Sequence, residues 1–305
     1  MNTITQQLLQ IVSDLPDNFR GAFNIREDGQ CAGRQSSEHV HIESKTDAPG
    51  LVIQVDPGTK GETIYIPACV THGDVDDLVY NDFFIGENAD VVVVAGCGVH
   101  TDTESEARHN GIHRFFLANS AHVVYREKHI GTGNGSGAKR IDPVTDIVLG
   151  EDAVLEMDTV QLSGVDSSTR KTTAALSARA KLLVRERLLT DGDEKARSEF
   201  EVTVTGNDAA VDLVSRSVAK GRSHQEFISV IKGQARCTGH SACDAILANE
   251  GTVVAMPGLE ASHPDAALIH EAAIGKIAGE QLLKLCTLGL TEEEAEARII
   301  EGFLR

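Results

Sequence analysis

The stretch Ile85-Gly-Glu-Asn-Ala-Asp-Val91 decides the fold of this chain, because similar stretches recur after it. Three clear copies follow, at Leu117-Ala-Asn-Ser-Ala-His-Val123, Leu149-Gly-Glu-Asp-Ala-Val-Leu155 and Leu176-Ser-Ala-Arg-Ala-Lys-Leu182. The alanines of the repeat are 27 to 32 residues apart, at Ala89, Ala121, Ala153, Ala180 and Ala209. Repetition on this scale is typical of solenoids, in which each unit can bury its apolar face only against the next unit.

The sequence around the repeats predicts short strands. From Leu51 onward, apolar runs such as residues 51–55 and 91–95 are separated by Gly, Asp and Asn. Residues 51–275 carry no long helical pattern, which argues against a Rossmann-like sheet with crossover helices. A parallel β-helix fits these observations best, and a β-sandwich or cupin-type barrel is the alternative.

Helical periodicity is confined to the two ends of the chain. Residues 4–15 have apolar side chains at helical spacing, before a break at Pro16. Near the C-terminus, residues 279–288 predict a helix that Gly289 ends, and Thr291-Glu-Glu-Glu294 is a capping box that opens another. The predicted domains are an N-terminal helical or irregular segment (1–50), a β-helix core (51–278) and a C-terminal helical hairpin (279–305).

Composition and charge exclude several classes of function. The net charge is −18 and the pI about 5.0, so a phosphate backbone would be repelled and nucleic acid is not an expected partner. No apolar run approaches the ~20 residues of a membrane span, and the first residues lack the regions of a signal peptide. We therefore expect a cytoplasmic protein whose 6 cysteines are thiols.

Two motifs resemble a phosphate-binding loop and a cupin metal site, but the residues around them do not support either function. The run Gly131-Thr-Gly-Asn-Gly-Ser-Gly137 lacks the Gly-Lys-Ser/Thr of a phosphate-binding loop, and no helix is predicted after it, so it predicts a flexible loop. His39-Val-His41 would place two imidazoles on one face of a strand, as in cupin metal sites. An exposed polar strand is the favoured interpretation of that pair.

Two groups of residues could bind a metal. Cys97-Gly-Val-His100, with His109 and His113, offers thiol and imidazole ligands, but the spacing matches no recognised metal motif and a structural role is favoured. Cys237-Thr-Gly-His-Ser-Ala-Cys243 is denser, and His270-Glu271 follows about one repeat later. Residues one coil apart in a β-helix stack about 4.8 Å from each other, so this thiol, imidazole and carboxylate can converge. Such a mixed set can bind iron or a nascent cluster.

The C-terminal region resembles the core signature of the SufB/SufD family. The matching residues occur in order and at nearly matching spacing, at Cys243-Asp-Ala-Ile-Leu, Pro257-Gly-Leu-Glu260, His270-Glu-Ala-Ala-Ile-Gly-Lys-Ile277, Glu280-Gln-Leu282, Gly289-Leu, Glu293-Glu-Ala295 and Gly302-Phe303. Upstream, Asn110-Gly-Ile-His113 and Glu127-Lys-His129 are consistent with the same family.

This resemblance implies a right-handed parallel β-helix, pairing of two such subunits, and a role in building iron–sulfur clusters for transfer to apo-proteins. It also implies that the C-terminal helices dock the ABC ATPase SufC, with the docking residues at Gln281, Leu282, Gly289 and Phe303.

The resemblance also supplies roles for individual residues. Cys243 falls on the Cys-Asp motif where SufB carries an essential thiol, and His270 falls on a histidine that SufB and SufD share at the subunit interface. Glu271 matches the acidic residue of SufB, where SufD has Gly, so the site resembles that of SufB. Cys237 is a possible additional ligand.

The predicted protein is thus a short SufB-like scaffold that pairs with itself or with a SufB/SufD paralogue. It would hold an iron–sulfur cluster transiently at the subunit interface. It would bind no nucleotide and would not itself be an enzyme, since a partner subunit hydrolyses the ATP. The alternatives are a cupin-like metal-binding enzyme that uses His39 and His41, and a structural partner of an ABC ATPase without cluster chemistry.

Overall fold

The computed structural model of the chain describes residues 1–13, 15, 19–162 and 164–305, and about 58% of the chain is β-strand. The helices lie at the ends, as α1 (Thr3–Val12), α2 (Gly279–Thr287) and α3 (Glu292–Phe303). The first strands are β1 (Phe23–Glu27), β2 (Gln30–Gln35), β3 (Val40–Ser44), β4 (Gly50–Val55), β5 (Lys60–Tyr65), β6 (Ala68–Val70), β7 (Val75–Ile85), β8 (Asp90–His100), β9 (Ala107–Leu117) and β10 (His122–Thr132). The later strands are β11 (Lys139–Ile141), β12 (Val144–Leu149), β13 (Val154–Gln161), β14 (Ser167–Leu176), β15 (Lys181–Thr190), β16 (Lys195–Val204), β17 (Ala209–Ala219), β18 (His224–Gly233), β19 (Cys237–Leu247), β20 (Thr252–Ala261) and β21 (Ala266–Lys276).

Within the described residues, these strands form two facing sheets of a parallel β-solenoid with about eight turns. One sheet has the order β2-β1-β5-β8-β10-β13-β15-β17-β19-β21, with β6 beside β1 and β8. The other has the order β20-β18-β16-β14-β11-β9-β7-β4-β3, with β12 beside β14 and β9. Only the hairpins β1–β2 and β3–β4 are antiparallel among the pairs of the described chain. The parallel β-helix prediction is confirmed, and the sandwich and cupin alternatives are wrong.

The repeated polar turns explain why the chain coils. The residue before the repeat alanine has a positive φ of 57–64°, at Asn88, Ser120, Asp152, Arg179 and Asp208. In each clear copy of the repeat, the alanine N–H then donates to the carbonyl three residues earlier and closes a tight turn, as in Ala89 N to Gly86 O at 3.2 Å. Turns of successive coils also bond to each other, as in Ser120 N to Glu151 O at 2.8 Å. The repeat therefore fixes both the turn and its stacking.

The interior is apolar on one side and polar on the other. The apolar side is filled by Val, Ile, Leu and Ala, with the register partners Phe83 and Phe115 stacked at 4.4 Å. Along β10, the buried positions change from Val123 to Glu127 and His129. This change creates the buried polar line on which the candidate site depends.

Helices from both ends of the chain pack on the outside of the solenoid. Leu8 and Val12 of α1 pack so closely on β8 that a Cβ at Gly96 would lie 2.3 Å from the Val12 carbonyl oxygen. Ile300 of α3 packs on Val218. The capping box of Thr291 is present, and Gly289 has the positive φ of 98° predicted for it. The predicted break at Pro16 lies outside the described residues.

Residues 131 and 132 of the glycine-rich run end β10, and residues 133–137 lead from it toward β11. The flexibility of this loop stays a prediction. A Cβ at Gly137 would lie 1.9 Å from the Ser105 carbonyl oxygen, so close stacking on the preceding coil demands glycine there. No helix of the described chain is both long and apolar enough to cross a membrane.

Candidate functional site

The last two coils hold the residues that the sequence singled out. Cys243 lies in β19 and is 2% exposed, and its thiol side packs in the main core. Burial, with smaller contributions from Glu186 and Asp244, raises the pKa of the Cys243 thiol to about 12. In the single chain this cysteine is therefore a neutral thiol, which becomes a ligand only when a metal or a change of environment removes its proton.

His270 and Glu271 lie on the neighbouring strand β21 and are exposed. His270 pairs with Ser241 and Ala272 pairs with Cys243, so the imidazole is one strand and two residues away from the thiol. Adjacent residues of a strand project from opposite faces, and His270 therefore shares the face of Cys243 whereas Glu271 does not. The Glu271 carboxylate instead lies 3.5 Å from Nε2 of His240.

Cys237 is also buried in β19, and burial raises its pKa. Six residues of strand separate it from Cys243, which corresponds to about 20 Å. Within one chain the two thiols are therefore too far apart to bind one ion. Among the described residues, the potential ligand atoms of Cys243, His270 and Glu271 do not all lie within 4.8 Å of one another either.

The described part of the chain contains one group of three potential ligands within 4.8 Å of one another: Cys97, Glu127 and His129. All three are buried, with exposures of 2–4%. They come from consecutive coils, because Cys97 of β8 is the direct register partner of His129 of β10. Glu127 occupies the same face two residues before His129.

A buried hydrogen-bond network surrounds Glu127. Tyr125 donates its hydroxyl to Oε1 of Glu127 at 2.8 Å, and the same hydroxyl oxygen lies 2.8 Å from Nδ1 of His113. Nη2 of Arg170, on the opposite sheet, lies 2.7 Å from Oε2. Burial alone would raise the pKa of Glu127, but Arg170 and His129 outweigh it and hold that pKa well below its usual range. Glu127 is therefore a buried carboxylate.

This network continues toward the C-terminal end. The register partners along one internal ladder are Glu127, Thr159, Glu186, Ser215 and Cys243. Glu186 accepts hydrogen bonds from Ser198 at 2.6 Å and from Ser215 at 2.7 Å. A line of buried polar groups thus connects the Cys97 region with Cys243 through the interior.

Sequence reasoning did not assign a role to Glu127 and His129 beyond their consistency with the family. The signal that would have found them is the repeat interval, since His129 lies 32 residues after Cys97, the interval of the first repeats. Of the other residues grouped with Cys97, His109 bonds to Asp77 at 3.0 Å and His100 bonds to Thr132 and Asp102.

The His39 and His41 pair lies at the exposed edge of the second sheet. His41 is 3.4 Å and His39 3.8 Å from the Asp56 carboxylate, and both imidazoles are about half exposed. The cupin-like enzyme that would use them is wrong, because the fold is a solenoid.

The chain is similar to proteins of known family. Residues 80–303 match the family described as SUF system FeS cluster assembly, SufBD core domain. An iron–sulfur cluster assembly SufBD family protein of Methanothermobacter thermautotrophicus is 30% identical over 267 residues, which are 86% of this chain and 64% of that protein. A protein of the same description from Archaeoglobus fulgidus is 26% identical over 273 residues, 89% of this chain and 72% of that one.

A shorter match, 40% identical over 92 residues, is to a SufBD family protein of Pyrococcus horikoshii and covers 30% of this chain and 21% of that protein. The chain spans 64% of the length of the Methanothermobacter relative. The match covers residues 80–303, which include most of the solenoid and the last coils that carry Cys237 and Cys243. The chain therefore belongs to the SufBD family of iron–sulfur cluster assembly proteins.

Proposed function

We propose that this chain is a scaffold subunit on which an iron–sulfur cluster is assembled as cargo at the open end of the solenoid, where two chains meet. The observation that carries this is the placement of Cys243 and His270 on one face of adjacent strands in the last two coils. Cys243 would supply a thiolate and His270 a nitrogen, and Glu271 would supply an oxygen to the same interface. Three donors of different softness suit iron with bound sulfide.

The surface of the last coil supports pairing with a second copy. β20 and β21 are the end strands of the two sheets. Within the described chain no further strand pairs with their outer edges, which leaves those edges open to a second chain. Their exposed apolar side chains include Val254, Met256, Leu259, Ile269 and Ile274. An apolar face beside two open sheet edges is typical of an interface. The second subunit is a copy of this chain or a SufB/SufD paralogue.

The C-terminal hairpin is the proposed docking site for a SufC-type ABC ATPase. α2 has no buried residue, and Leu283 within it and Leu288 directly after it are 66% and 75% exposed. Gln281 and Gly289 are exposed, whereas Leu282 and Phe303 are half-buried. The hairpin is held on the solenoid by α3, which leaves α2 free for a partner.

Anaerobic reconstitution with iron and sulfide tests the cluster proposal. Wild-type protein is expected to gain a broad visible absorption, and Cys243→Ser is expected to lose most of it because the thiolate is the strongest ligand of the set. His270→Ala should lose part of it. Cys237→Ser tests whether the second thiol of β19 contributes.

Cys31→Ser is the matched control, since Cys31 is an exposed thiol on β2, at the far end of the sheet from β21. An unchanged spectrum in Cys243→Ser would remove this cysteine from the mechanism. Wild-type protein that binds the ATPase but takes up no iron and sulfide would support the structural-partner alternative instead.

A further inference from the structure

The buried group of Cys97, Glu127 and His129 lies about four strand spacings from Cys243 along the internal ladder, which corresponds to roughly 19 Å. It is therefore separate from the site proposed above. It differs from that site in being complete within one chain, since its thiol, carboxylate and imidazole atoms all lie within 4.8 Å of one another.

His129 is the side chain that most needs a partner. It is 4% exposed, and neither ring nitrogen makes a hydrogen bond. Nε2 lies 3.2 Å from Oε1 of Glu127, but Nδ1 has no polar partner among the described atoms. Buried polar side chains are nearly always satisfied, so an imidazole in this state indicates a missing ligand.

We propose that Cys97, Glu127 and His129 bind one divalent transition-metal ion, such as Fe²⁺ or Zn²⁺, inside the solenoid. One sulfur, one nitrogen and one oxygen suit a borderline cation, and three protein ligands leave a coordination position open. The site goes beyond the proposed function and does not depend on it. A single thiol cannot supply the four ligands that a closed cluster needs, so the site is mononuclear.

The charges of the bound ion and its two anionic ligands sum to zero. Binding forms a sulfur–metal bond and releases the proton of the Cys97 thiol to solvent, without electron transfer. The two charges of the cation are then matched by one thiolate and one carboxylate, and because Glu127 is already a carboxylate and only one proton leaves, binding raises the charge of the buried site by one unit. Arg170 and Tyr125 hold the two oxygens of Glu127 from outside this set, and such contacts orient a ligating carboxylate.

A cavity on the N-terminal side of the group reaches one of its members, Cys97. It has a volume of about 270 Å³, and the residues that line it include Cys31 at the surface and Cys97 in the interior. Of the three Lys and Arg side chains in its lining, Arg26 and Lys45 pair with Asp77 and Asp82, whereas Arg34 bonds to the neutral Asn24 and Ser44. The cavity offers a path to Cys97 that does not cross the apolar core.

Anaerobic titration with Co²⁺ tests the proposal, in a Cys243→Ser background that removes the thiol of the C-terminal site. We expect one equivalent to produce a strong near-ultraviolet sulfur-to-cobalt absorption. Cys97→Ser should abolish this band, and Glu127→Gln or His129→Ala should weaken binding at least about 10-fold, as loss of even an outer contact typically does. Cys69→Ser is the matched control, because Cys69 is a buried thiol whose register partner is Gly98, next to Cys97.

A band that persists in Cys97→Ser, or that disappears equally in Cys69→Ser, would overturn the site. X-ray absorption of the Zn²⁺-loaded Cys243→Ser protein gives a test that needs no further mutation at the site. The expected shell is one sulfur at about 2.3 Å with nitrogen and oxygen at about 2.0–2.2 Å. A shell of nitrogen and oxygen alone would contradict it. Failure of cluster reconstitution with an intact Co²⁺ band would reject the proposed function and leave this site standing.

Discussion

The two cysteine-containing regions of the solenoid are built from the same repeat but differ in how they end. Around Cys97, coils continue on both sides, and the ligand atoms of three buried residues lie within 4.8 Å. Around Cys243, one more coil follows and then the described solenoid ends, so His270 and Glu271 are exposed. An interior coil is completed by its neighbours, whereas a terminal coil has an unfilled side.

This difference separates what folding requires from what assembly requires. Buried carboxylates must be paired to be tolerated, and Glu127 and Glu186 are held by Arg170, Tyr125 and Ser198. Polar groups on the last coil are solvated and need no partner for folding. We therefore expect substitutions in the interior to change stability, and substitutions on the last coil to change association and cluster binding.

The largest expected effect is that of Arg170→Leu. The guanidinium lies between the buried carboxylates of Glu127 and Glu186, at 2.7 and 3.7 Å, and its removal leaves both without their cation. The free energy of unfolding should fall by about 3–5 kcal/mol, measured by urea denaturation. Arg185→Leu, which breaks an exposed pair with Asp212, should change it little. Equal losses in the two variants would contradict the division between interior and surface.

His113 should make the interior sensitive to acid. Burial lowers the pKa of this imidazole to about 4, below its ordinary value of 6.5. The unfolded chain therefore binds a proton at higher pH than the folded chain, so stability is intact above pH 6.5 and falls as the pH drops toward 4. The loss over this window should approach about 3 kcal/mol. His113→Gln should flatten that pH dependence, and the exposed control His39→Gln should not; equal slopes would refute the assignment.

The last coil should instead control association. Ile269 is 59% exposed on β21, and Ile269→Glu would place a carboxylate in the proposed interface. The dissociation constant of the dimer should rise at least about 10-fold, as for an apolar interface anchor, without loss of the folded state. Light scattering after gel filtration measures this. Val148→Glu is the control, because Val148 is an apolar residue of similar exposure, 47%, on a central coil. If only Val148→Glu were monomeric, the interface would lie on the central coils and not on the last coil.

The fold could be predicted from the sequence because one local feature repeats. Asn88, Ser120 and Asp152 each supply the left-handed turn residue, and a buried alanine follows each of them. A tight turn at a constant interval leaves a coil as the simplest way to bury the apolar strands. The capping box of Thr291 is similarly local, and it was also predictable.

The candidate sites were less accessible to prediction, because they depend on register between coils. Cys97 and His129 become neighbours only when the coil length is known to be 32 residues at that point, and later coils are shorter. The separation of His270 from Glu271 follows from the pleat, which turns adjacent residues to opposite faces. The common role proposed for them would therefore need a second chain, whose position a single sequence does not specify.

The smallest expected effect concerns the hairpin, which belongs to neither cysteine region. Leu283 is 66% exposed on α2, and Leu283→Glu should weaken capture of a SufC-type ATPase by about 10-fold in a pull-down with purified partners, because a charge replaces an apolar contact. Stability and dimerisation should not change. Val254→Glu is the comparison, since Val254 is 41% exposed on β20. If Val254→Glu lowered ATPase capture while Leu283→Glu did not, the ATPase would dock on the last coil, and that coil would not be free to pair two scaffold chains.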